Sequence, residues 1–251
     1  MTYENKLALY YDKLYSHKDY EKEAKFILDS SGYKGSLLDV GAGTCSHTAI
    51  LAKSYDKVSA VDMSYSMMAI GKQKLVDDKI ENVRTYIGTL EKLMFNKEFD
   101  TCISMFNVVN HIQTISELRL FFAEIYKALK QDGIFIFDCW NGSACYQEKP
   151  KEHTVKSIKV GEYELKSTTI TKTDLFHLGK AVMNTTVNVF RQDTLLDSFD
   201  YEMSHRLWTA DILTELLNEA DLAPIKICKS SDYQQASQND FRITFVCLKG
   251  G

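Results

Sequence analysis

The residues with the clearest chemical meaning lie where an apolar strand runs into a glycine turn. Residues 36–41 (SLLDVG) form a short buried-type run, and Gly43 comes two residues later. Glycines at a strand-to-helix turn let a ligand approach the backbone closely over the carboxyl end of the strand. Asp62 ends the next apolar run, at the position where an acid bridges the hydroxyls of a ribose. This spacing predicts a site for a nucleoside-containing cofactor.

The same turn departs from the pattern that binds nicotinamide dinucleotides. That pattern, G-x-G-x-x-G, lets a pyrophosphate meet a helix N-terminus, but here Ser46 occupies the third glycine position. Asp39, just before the turn, repels a pyrophosphate and suits a ligand with a positive charge. A cationic cofactor is therefore favoured. The dehydrogenase alternative predicts NADH binding, and a third reading is a plain tight turn without a ligand.

Strand-like and helix-like stretches alternate through the first half of the chain. The predicted strands are residues 36–41, 57–62, 83–88, 99–106 and 133–138. The predicted helices are residues 46–54, 64–75 and 116–130. Such alternation predicts βαβ units in a doubly wound, mainly parallel sheet with helices on both faces.

The pattern changes after Asn141. From about residue 155 to 207 the segments are β-prone, notably 163–171, 182–190 and 199–207. A helix at 209–220 and strands at 223–229 and 241–248 then resume the α/β pattern. We therefore expect one domain over residues 1–251, with a β-rich antiparallel cap inserted at about residues 145–207.

Two segments carry a family resemblance: DVGAG at residues 39–43 and VDMS at residues 61–64. They resemble the first two motifs of class I S-adenosylmethionine-dependent methyltransferases, a D/E-x-G-x-G strand end and an acidic second strand end. The resemblance covers residues 37–138 and 209–248. It implies a seven-stranded, Rossmann-like α/β sheet with an antiparallel last strand. It also implies S-adenosylmethionine as cofactor and S-adenosylhomocysteine as product.

The resemblance assigns parts of the cofactor to particular residues. The glycine turn would pass the amino-acid part, Asp62 would bind the ribose and Met63 would pack on adenine. Thr89 stands where the family often has an acid or amide for the adenine amino group, so that contact is less defined. The full implied set is Asp39, Gly41, Ala42, Gly43, Asp62, Met63, Thr89, Leu90, Phe106 and Tyr15.

The acceptor of the methyl group is expected at the same sheet edge. The fourth predicted strand leads into Asn107, Asn110 and His111, and carboxyl ends of parallel strands face the ligand crevice. His111 titrates near neutral pH and is a candidate base or orienting group, or alternatively a helix cap. The fifth strand ends near Asp138, which suits a hydroxyl or ammonium, and Trp140, which suits a ring or the core.

The N-terminal segment and the cap supply the remaining candidates. Tyr11 and Tyr15 resemble the aromatic N-terminal lid of small-molecule methyltransferases, although aromatics there also cover apolar surface in any fold. Arg191 and His205 in the cap are candidates for an anionic acceptor. The core-plus-cap layout is similar to N-methyltransferases acting on nucleotide-linked amino sugars. We therefore predict His111, Asn107 and Tyr11 as catalytic and Asn110, Asp138, Trp140, Arg191 and His205 as acceptor-binding.

Composition and charge disfavour several other classes of protein. The 251 residues contain 30 Lys and Arg against 34 Asp and Glu, and this net charge of −4 disfavours a nucleic-acid methyltransferase. No apolar run reaches the roughly 20 residues of a membrane span, and the polar residues 1–20 are unlike a signal peptide, so a cytoplasmic location is expected. The six cysteines have no zinc or disulfide spacing, and no metal is expected. Acceptors with a hydroxyl or carboxyl group, a non-catalytic cofactor-binding module and a homodimer formed through the cap remain open.

Overall fold

The computed structural model of the protein describes residues 3–32 and 35–250. The helices are α1 (Tyr3–Leu14), α2 (Tyr20–Ser31), α3 (Ser46–Leu51), α4 (Tyr65–Asp77), α5 (Leu90–Leu93), α6 (Val108–His111), α7 (Ile115–Ala128), α8 (Gly142–Gln147) and α9 (Ala210–Glu219). The strands are β1 (Ser36–Val40), β2 (Lys57–Asp62), β3 (Val83–Ile87), β4 (Phe99–Ser104), β5 (Leu129–Trp140), β6 (His153–Val160), β7 (Tyr163–Asp174), β8 (Lys180–Arg191), β9 (Thr194–Arg206), β10 (Leu222–Lys229) and β11 (Arg242–Lys249).

The main sheet within the described residues has seven strands in the order β10-β11-β5-β4-β1-β2-β3. Pairing is parallel from β5 to β3, whereas β11 is antiparallel to both of its neighbours. The strand order reverses between β1 and β4, which is the switch point where open α/β sheets bind ligands. The predicted doubly wound sheet with an antiparallel last strand is confirmed.

A second sheet is built from residues 153–206. Strands β6 to β9 form a four-stranded antiparallel meander, as the β-prone run predicted. Its inner apolar cluster includes Leu165, Val187 and Phe199, and Leu14 at the end of α1 packs into the same cluster. The N-terminal helix therefore completes the core of this sheet, called the cap below.

The main sheet is fixed by buried side chains on both faces. Leu37, Leu38, Ile103 and Ile136 are fully buried, as continuous apolar strands require. Each such side chain contributes about 1.5–3 kcal/mol when removed from water. This rigid framework holds the carboxyl ends of β1, β2, β4 and β5 at one edge, where the candidate site lies.

Some element boundaries differ from the sequence prediction. Helix α7 starts with the capping box of Thr114 and Glu117, but it ends at Ala128 instead of residue 130. The Lys249 side chain, on β11, donates to the carbonyl of Leu129 at 2.8 Å, so a distant strand defines that helix end. Strand β5 consequently begins before Gly133. Helix α8 and strand β6 were not predicted as separate elements.

Candidate functional site

Asp62 joins the ends of two strands to the glycine turn. Its Oδ2 accepts a hydrogen bond from the backbone N–H of Gly43 at 2.7 Å, and its Oδ1 accepts from Ser64 N–H at 2.7 Å. Burial raises the pKa of Asp62, while these two backbone donors oppose the rise. A carboxylate has about four acceptor positions, so capacity remains for the hydroxyls of a ribose.

The two glycines of the turn have different structural requirements. Gly41 has φ +76°, and a Cβ there would lie 2.5 Å from a methyl carbon of Val108. Gly43 has φ +55°, but no atom lies within 4 Å of its Cβ position. Gly41 therefore lets the first residue of α6 pack on the turn, whereas the open side of Gly43 is free for a ligand. Ala42 between them donates its N–H to Val61 O at 3.0 Å.

Asp39, at the end of β1, is buried beneath the glycine turn and bonded to α3. It is only 2% exposed, and Thr48 on α3 donates its hydroxyl to Asp39 Oδ2 at 2.6 Å. Burial raises the pKa of this carboxyl, against the attraction of His47. Asp39 thus anchors α3 to the end of β1.

The residues that follow β2 and β3 at this sheet edge suit an adenine ring. Met63 comes directly after Asp62 and is 75% exposed, so its thioether is available for packing. Thr89 has a buried hydroxyl without a hydrogen-bond partner, and the adjacent Leu90 is buried. Together with the open glycine and the ribose-type carboxylate, these groups fit the nucleoside of S-adenosylmethionine.

A cavity of about 550 Å³ lies between this edge and the cap. The framework contributes Phe106, Asn107, His111 and Trp140, and the N-terminal segment contributes Tyr11 and Tyr15. The cap contributes, among others, Tyr201, Met203 and His205. Sequence candidates for catalysis, the lid and the cap therefore meet around one space large enough for a small molecule.

Aromatic rings close the side of the cavity nearest the N-terminus. The ring centroid of Tyr15 lies 4.8 Å from that of Phe106 and 4.7 Å from that of Tyr11. Burial raises the pKa of the Tyr11 hydroxyl well above its ordinary value, so it stays protonated. Such a setting excludes water and offers π-faces to a cation.

Two histidines line the cavity in edge-to-face contact. The ring centroids of His111 and His205 are 4.8 Å apart, and His205 also lies 4.7 Å from Trp140. Burial lowers the pKa of His205 to about 3, with His111 and Arg242 adding to the effect. Burial also lowers the pKa of His111, which Asp62 opposes. Because His205 is neutral at pH 7, it can only act as a hydrogen-bonding group there, not as the cationic partner for an anion.

Three predicted acceptor residues lie outside the cavity lining. Asn110 is fully buried, where its side chain accepts from Trp140 N at 2.8 Å and donates to Arg206 O at 2.8 Å. Asp138 is 4% exposed and accepts from Asn107 N–H at 2.8 Å. Arg191 pairs with Glu162 at 2.7 Å on the surface of the cap. The structure thus gives these three residues protein partners.

A buried ionic group beside the glycine turn was not predicted from the sequence. Lys18 and Glu23 form an ion pair with little exposure, and His47 Nε2 lies 2.6 Å from the same Glu23 carboxylate. The Lys18 ammonium also lies 4.7 Å from the ring centroid of Phe106. The three members of the group come from the α1–α2 connection, α2 and α3. Their spacing matches no motif, so only the fold reveals the group.

The outer rim of the cavity is basic. Its charged lining residues include Lys149, Lys151, Lys156 and Arg242, against the single acid Glu148 among the described lining residues. The two lysines that flank Pro150 are visible as a basic pair in the sequence. Arg242 gives no such signal because it starts β11, far along the chain.

The described part of the chain shows neither a metal cluster nor a membrane-spanning helix. Within residues 3–32 and 35–250, no group of three or more His, Cys, Asp or Glu side chains is placed to hold a metal ion. No described helix has both the length and the apolar character needed to cross a membrane.

Residues 37–133 match the family model described as a methyltransferase domain. A solved S-adenosylmethionine-dependent methyltransferase from Clostridium acetobutylicum has the same fold, with a TM-score of 0.82 over 98% of this chain and 99% of that chain at 22% identity. Residues 37–133 therefore belong to a methyltransferase domain. The predicted family resemblance is confirmed, and the cofactor named for that solved neighbour is the one that the sequence indicated.

Two curated relatives extend this comparison. A putative methyltransferase of Geobacillus is 34% identical over 144 residues, which cover 55% of this chain and 57% of that protein. A dTDP-3-amino-3,6-dideoxy-alpha-D-glucopyranose N,N-dimethyltransferase of Streptomyces fradiae is 25% identical over 176 residues, covering 68% of this chain and 64% of that protein. The matched parts span 57% and 64% of these two relatives.

Proposed function

We propose that this protein is an S-adenosylmethionine-dependent N-methyltransferase whose acceptor is the amine of a small anionic molecule, a nucleotide-linked amino sugar. One observation carries the choice of an amine. Asn107 Oδ1 and His205 Nδ1 are both buried, both lack a partner, and both belong to residues that line the cavity. A primary amine has two N–H donors and a free lone pair, whereas a hydroxyl has a single donor. Two unsatisfied groups around one cavity therefore suit an amine better.

The chain's residues can then prepare the amine for reaction. When bound, S-adenosylmethionine would supply the methyl group to the amine, with S-adenosylhomocysteine as the leaving group. Asn107 Oδ1 accepts one N–H of the acceptor and so fixes the direction of the nitrogen lone pair. His111, held neutral by its surroundings, takes the proton that the nitrogen loses once the N–C bond has formed. Tyr11 and Tyr15 keep water away from the reacting atoms.

The rim supports an anionic acceptor. Lys149, Lys151 and Lys156 line the cavity mouth without an ion pair in the described chain, and Arg242 adds a fourth cation. Ammonium and guanidinium groups that converge on one opening attract phosphate groups. The name of the Streptomyces fradiae relative specifies an amino sugar on a dTDP carrier, which has both the amine and the diphosphate.

A pair of matched acceptors tests this proposal. The purified protein is incubated with S-adenosylmethionine and either dTDP-3-amino-3,6-dideoxyglucose or dTDP-6-deoxyglucose, which has a hydroxyl in place of the amine. We expect the mass of the amino sugar alone to increase by one or two methyl groups. Methylation of the hydroxyl sugar alone would contradict the amine assignment. Methylation of neither, but of an amine without a nucleotide in a wider acceptor set, would contradict the nucleotide carrier.

The basic rim provides a separate control. Changing Lys151→Glu and Arg242→Glu should raise the KM for the dTDP sugar at least about tenfold, because two attractive contacts become repulsive. The exposed Lys159→Glu on β6, outside the cavity lining, is the matched charge change and should leave the KM within twofold. Equal effects of the rim and control variants would exclude a specific role for the rim.

A further inference from the structure

Asp138 is a buried acid close to the cavity that does not line it. Its Oδ1 accepts the backbone N–H of Asn107 at 2.8 Å, and the residue is only 4% exposed. Three charged residues act on it through space: Glu23 repels its charge, whereas Lys18 and Arg242 attract it. A fully buried carboxylate is costly to maintain unless it has specific donors. The backbone N–H of Asn107 is such a donor to Asp138.

The segment that Asp138 contacts is strained. Phe106 has φ +71° and Asn107 has φ +64°, so two successive residues other than glycine adopt the left-handed region. Asn tolerates that region better than most residues, whereas Phe does not. Such conformations persist only where surrounding contacts enforce them, and they cluster at functional sites. The backbone N–H of the second of these residues, Asn107, donates to Asp138.

The strained turn sets the direction of helix α6. Asn107 is the N-cap of this helix, whose first residue, Val108, packs its methyl groups against Gly41. The last residue of the helix is His111, which borders the cavity beside His205. A relaxed turn would move the Asn107 amide oxygen and redirect the axis that carries His111.

We propose that Asp138 is a positioning residue: its carboxylate holds the Phe106–Asn107 turn in the left-handed conformation and thereby directs Asn107 and His111 toward the methyl acceptor. The acceptor part rests on the proposed function. The structural part concerns this chain alone, so it can be tested without any acceptor.

The test uses four single variants, one double variant and two acceptor-free readouts. Asp138→Leu removes the hydrogen-bond acceptor, whereas Asp138→Asn retains an oxygen that can accept from Asn107. Asn107→Gly relieves the left-handed requirement at that position. Thr244→Val is the control, since Thr244 on β11 lies opposite Asp138 on β5 and its buried hydroxyl has no partner. The readouts are amide hydrogen exchange of residues 106–111 and titration of the His111 ring, both by NMR.

We expect Asp138→Leu to speed exchange of the Asn107 amide about ten- to a hundredfold and to shift the His111 pKa toward its ordinary value. Asp138→Asn and Thr244→Val should stay near wild type. In the Asn107→Gly background, Asp138→Leu should change the His111 titration much less than in wild type. An Asp138→Leu protein that folds with unchanged exchange and titration would overturn the proposal.

Misfolding of the leucine variant is also informative. If Asp138→Leu does not fold, the double variant Asn107→Gly/Asp138→Leu should recover folding, since glycine needs no support in the left-handed region. Failure of that rescue would overturn the proposal, because Asp138 would then serve general packing.

An activity assay separates this proposal from the proposed function. With dTDP-3-amino-3,6-dideoxyglucose as probe, Asp138→Leu should lower kcat by at least about tenfold with a smaller change in KM, and Asp138→Asn should restore most of it. If the wild-type protein does not methylate this probe, the proposed function fails while the exchange and titration results still decide the role of Asp138.

Discussion

At the scale of single residues, the buried histidine His205 connects the cavity to the pH dependence of stability. Its neighbours are the rings of His111 and Trp140, and burial lowers its pKa from 6.5 to about 3. The unfolded chain binds a proton at this ring below pH 6.5, but the folded chain does so only near pH 3. The unfolded state therefore binds more protons between these values, and stability falls as the pH is lowered through this window.

A His205→Gln variant isolates this contribution. Between pH 7.5 and pH 5, wild type should lose about 2 kcal/mol more free energy of unfolding than the variant, because the unfolded ring gains a proton over this interval. Urea unfolding of both proteins at the two pH values measures the difference. Asp39 and Asp62 have raised pKa values, so their contribution to stability increases as the pH falls. Because both proteins contain these residues, comparing wild type with the variant cancels that contribution. Parallel pH profiles of the two proteins would contradict a neutral buried His205.

Residues near one another in sequence were predictable, and residues assembled by the fold were not. Gly41, Gly43 and Asp62 belong to one βαβ unit, so their spacing alone indicated a shared site, and the structure brings Gly43 and Asp62 within hydrogen-bond distance. Lys18 and Arg242 meet the same Phe106 ring from opposite ends of the chain. No local sequence pattern indicates that these two cations lie against one ring.

At the scale of elements, α1 forms a strap between the glycine turn and the cap. Asp12 on α1 contacts Lys74 Nζ on α4 at 2.8 Å and accepts from Thr44 Oγ1 at 2.5 Å beside the turn. Lys6, on the same helix, contacts Asp197 on β9 at 2.5 Å. The strap is therefore attached by polar contacts at both ends, with the Asp12 end beside the glycine turn.

Loosening the Asp12 end should speed cofactor exchange. We expect Asp12→Ala to raise the dissociation rate of S-adenosylhomocysteine by about two- to tenfold, because partly exposed ion pairs contribute about 0.2–1 kcal/mol and the Thr44 hydrogen bond adds a similar amount. Stopped-flow fluorescence measures this rate. Asp77→Ala at the far end of α4, whose carboxylate accepts from the exposed Gln73 side chain, is the control. An unchanged rate in Asp12→Ala would mean that α1 does not limit release.

Element prediction succeeded where burial is complete and failed where it is partial. Strand β2 matches its predicted range, 57–62, because four of its side chains are buried in sequence. Strand β6 was missed because most of its side chains are exposed and lysines interrupt it, so it lacks an apolar run. Helix α8 is a six-residue segment fixed by the Asn141 cap, which is too short for a helical pattern.

At the scale of the whole molecule, the cap and the α/β framework share their packing. Leu14 from the N-terminal helix belongs to the apolar cluster of the cap, and Leu207 and Trp208 come directly after β9. Trp208 packs in the main core, whereas Trp140 contacts His205 of the cap. The predicted single domain over residues 1–251 should therefore unfold as one unit.

Unfolding monitored by two probes tests this cooperativity. Far-ultraviolet circular dichroism reports both sheets and the helices, and tryptophan fluorescence reports the junction through Trp140 and Trp208. We expect the two urea transitions to coincide, because neither sheet can lose its packing while the junction stays intact. Separate midpoints would show that the cap is an independent folding unit.

Isothermal titration with S-adenosylhomocysteine tests most directly whether the glycine turn and Asp62 bind the methyltransferase cofactor. We predict saturable binding of S-adenosylhomocysteine, none of NADH, and at least about a tenfold weaker Kd in Asp62→Ala, which loses charge-assisted contacts to the turn and the ribose. Asp100→Ala, a partly buried acid paired with Lys130 away from the site, should bind like wild type. Binding of NADH alone, or equal affinity of wild type and Asp62→Ala, would contradict the assignment.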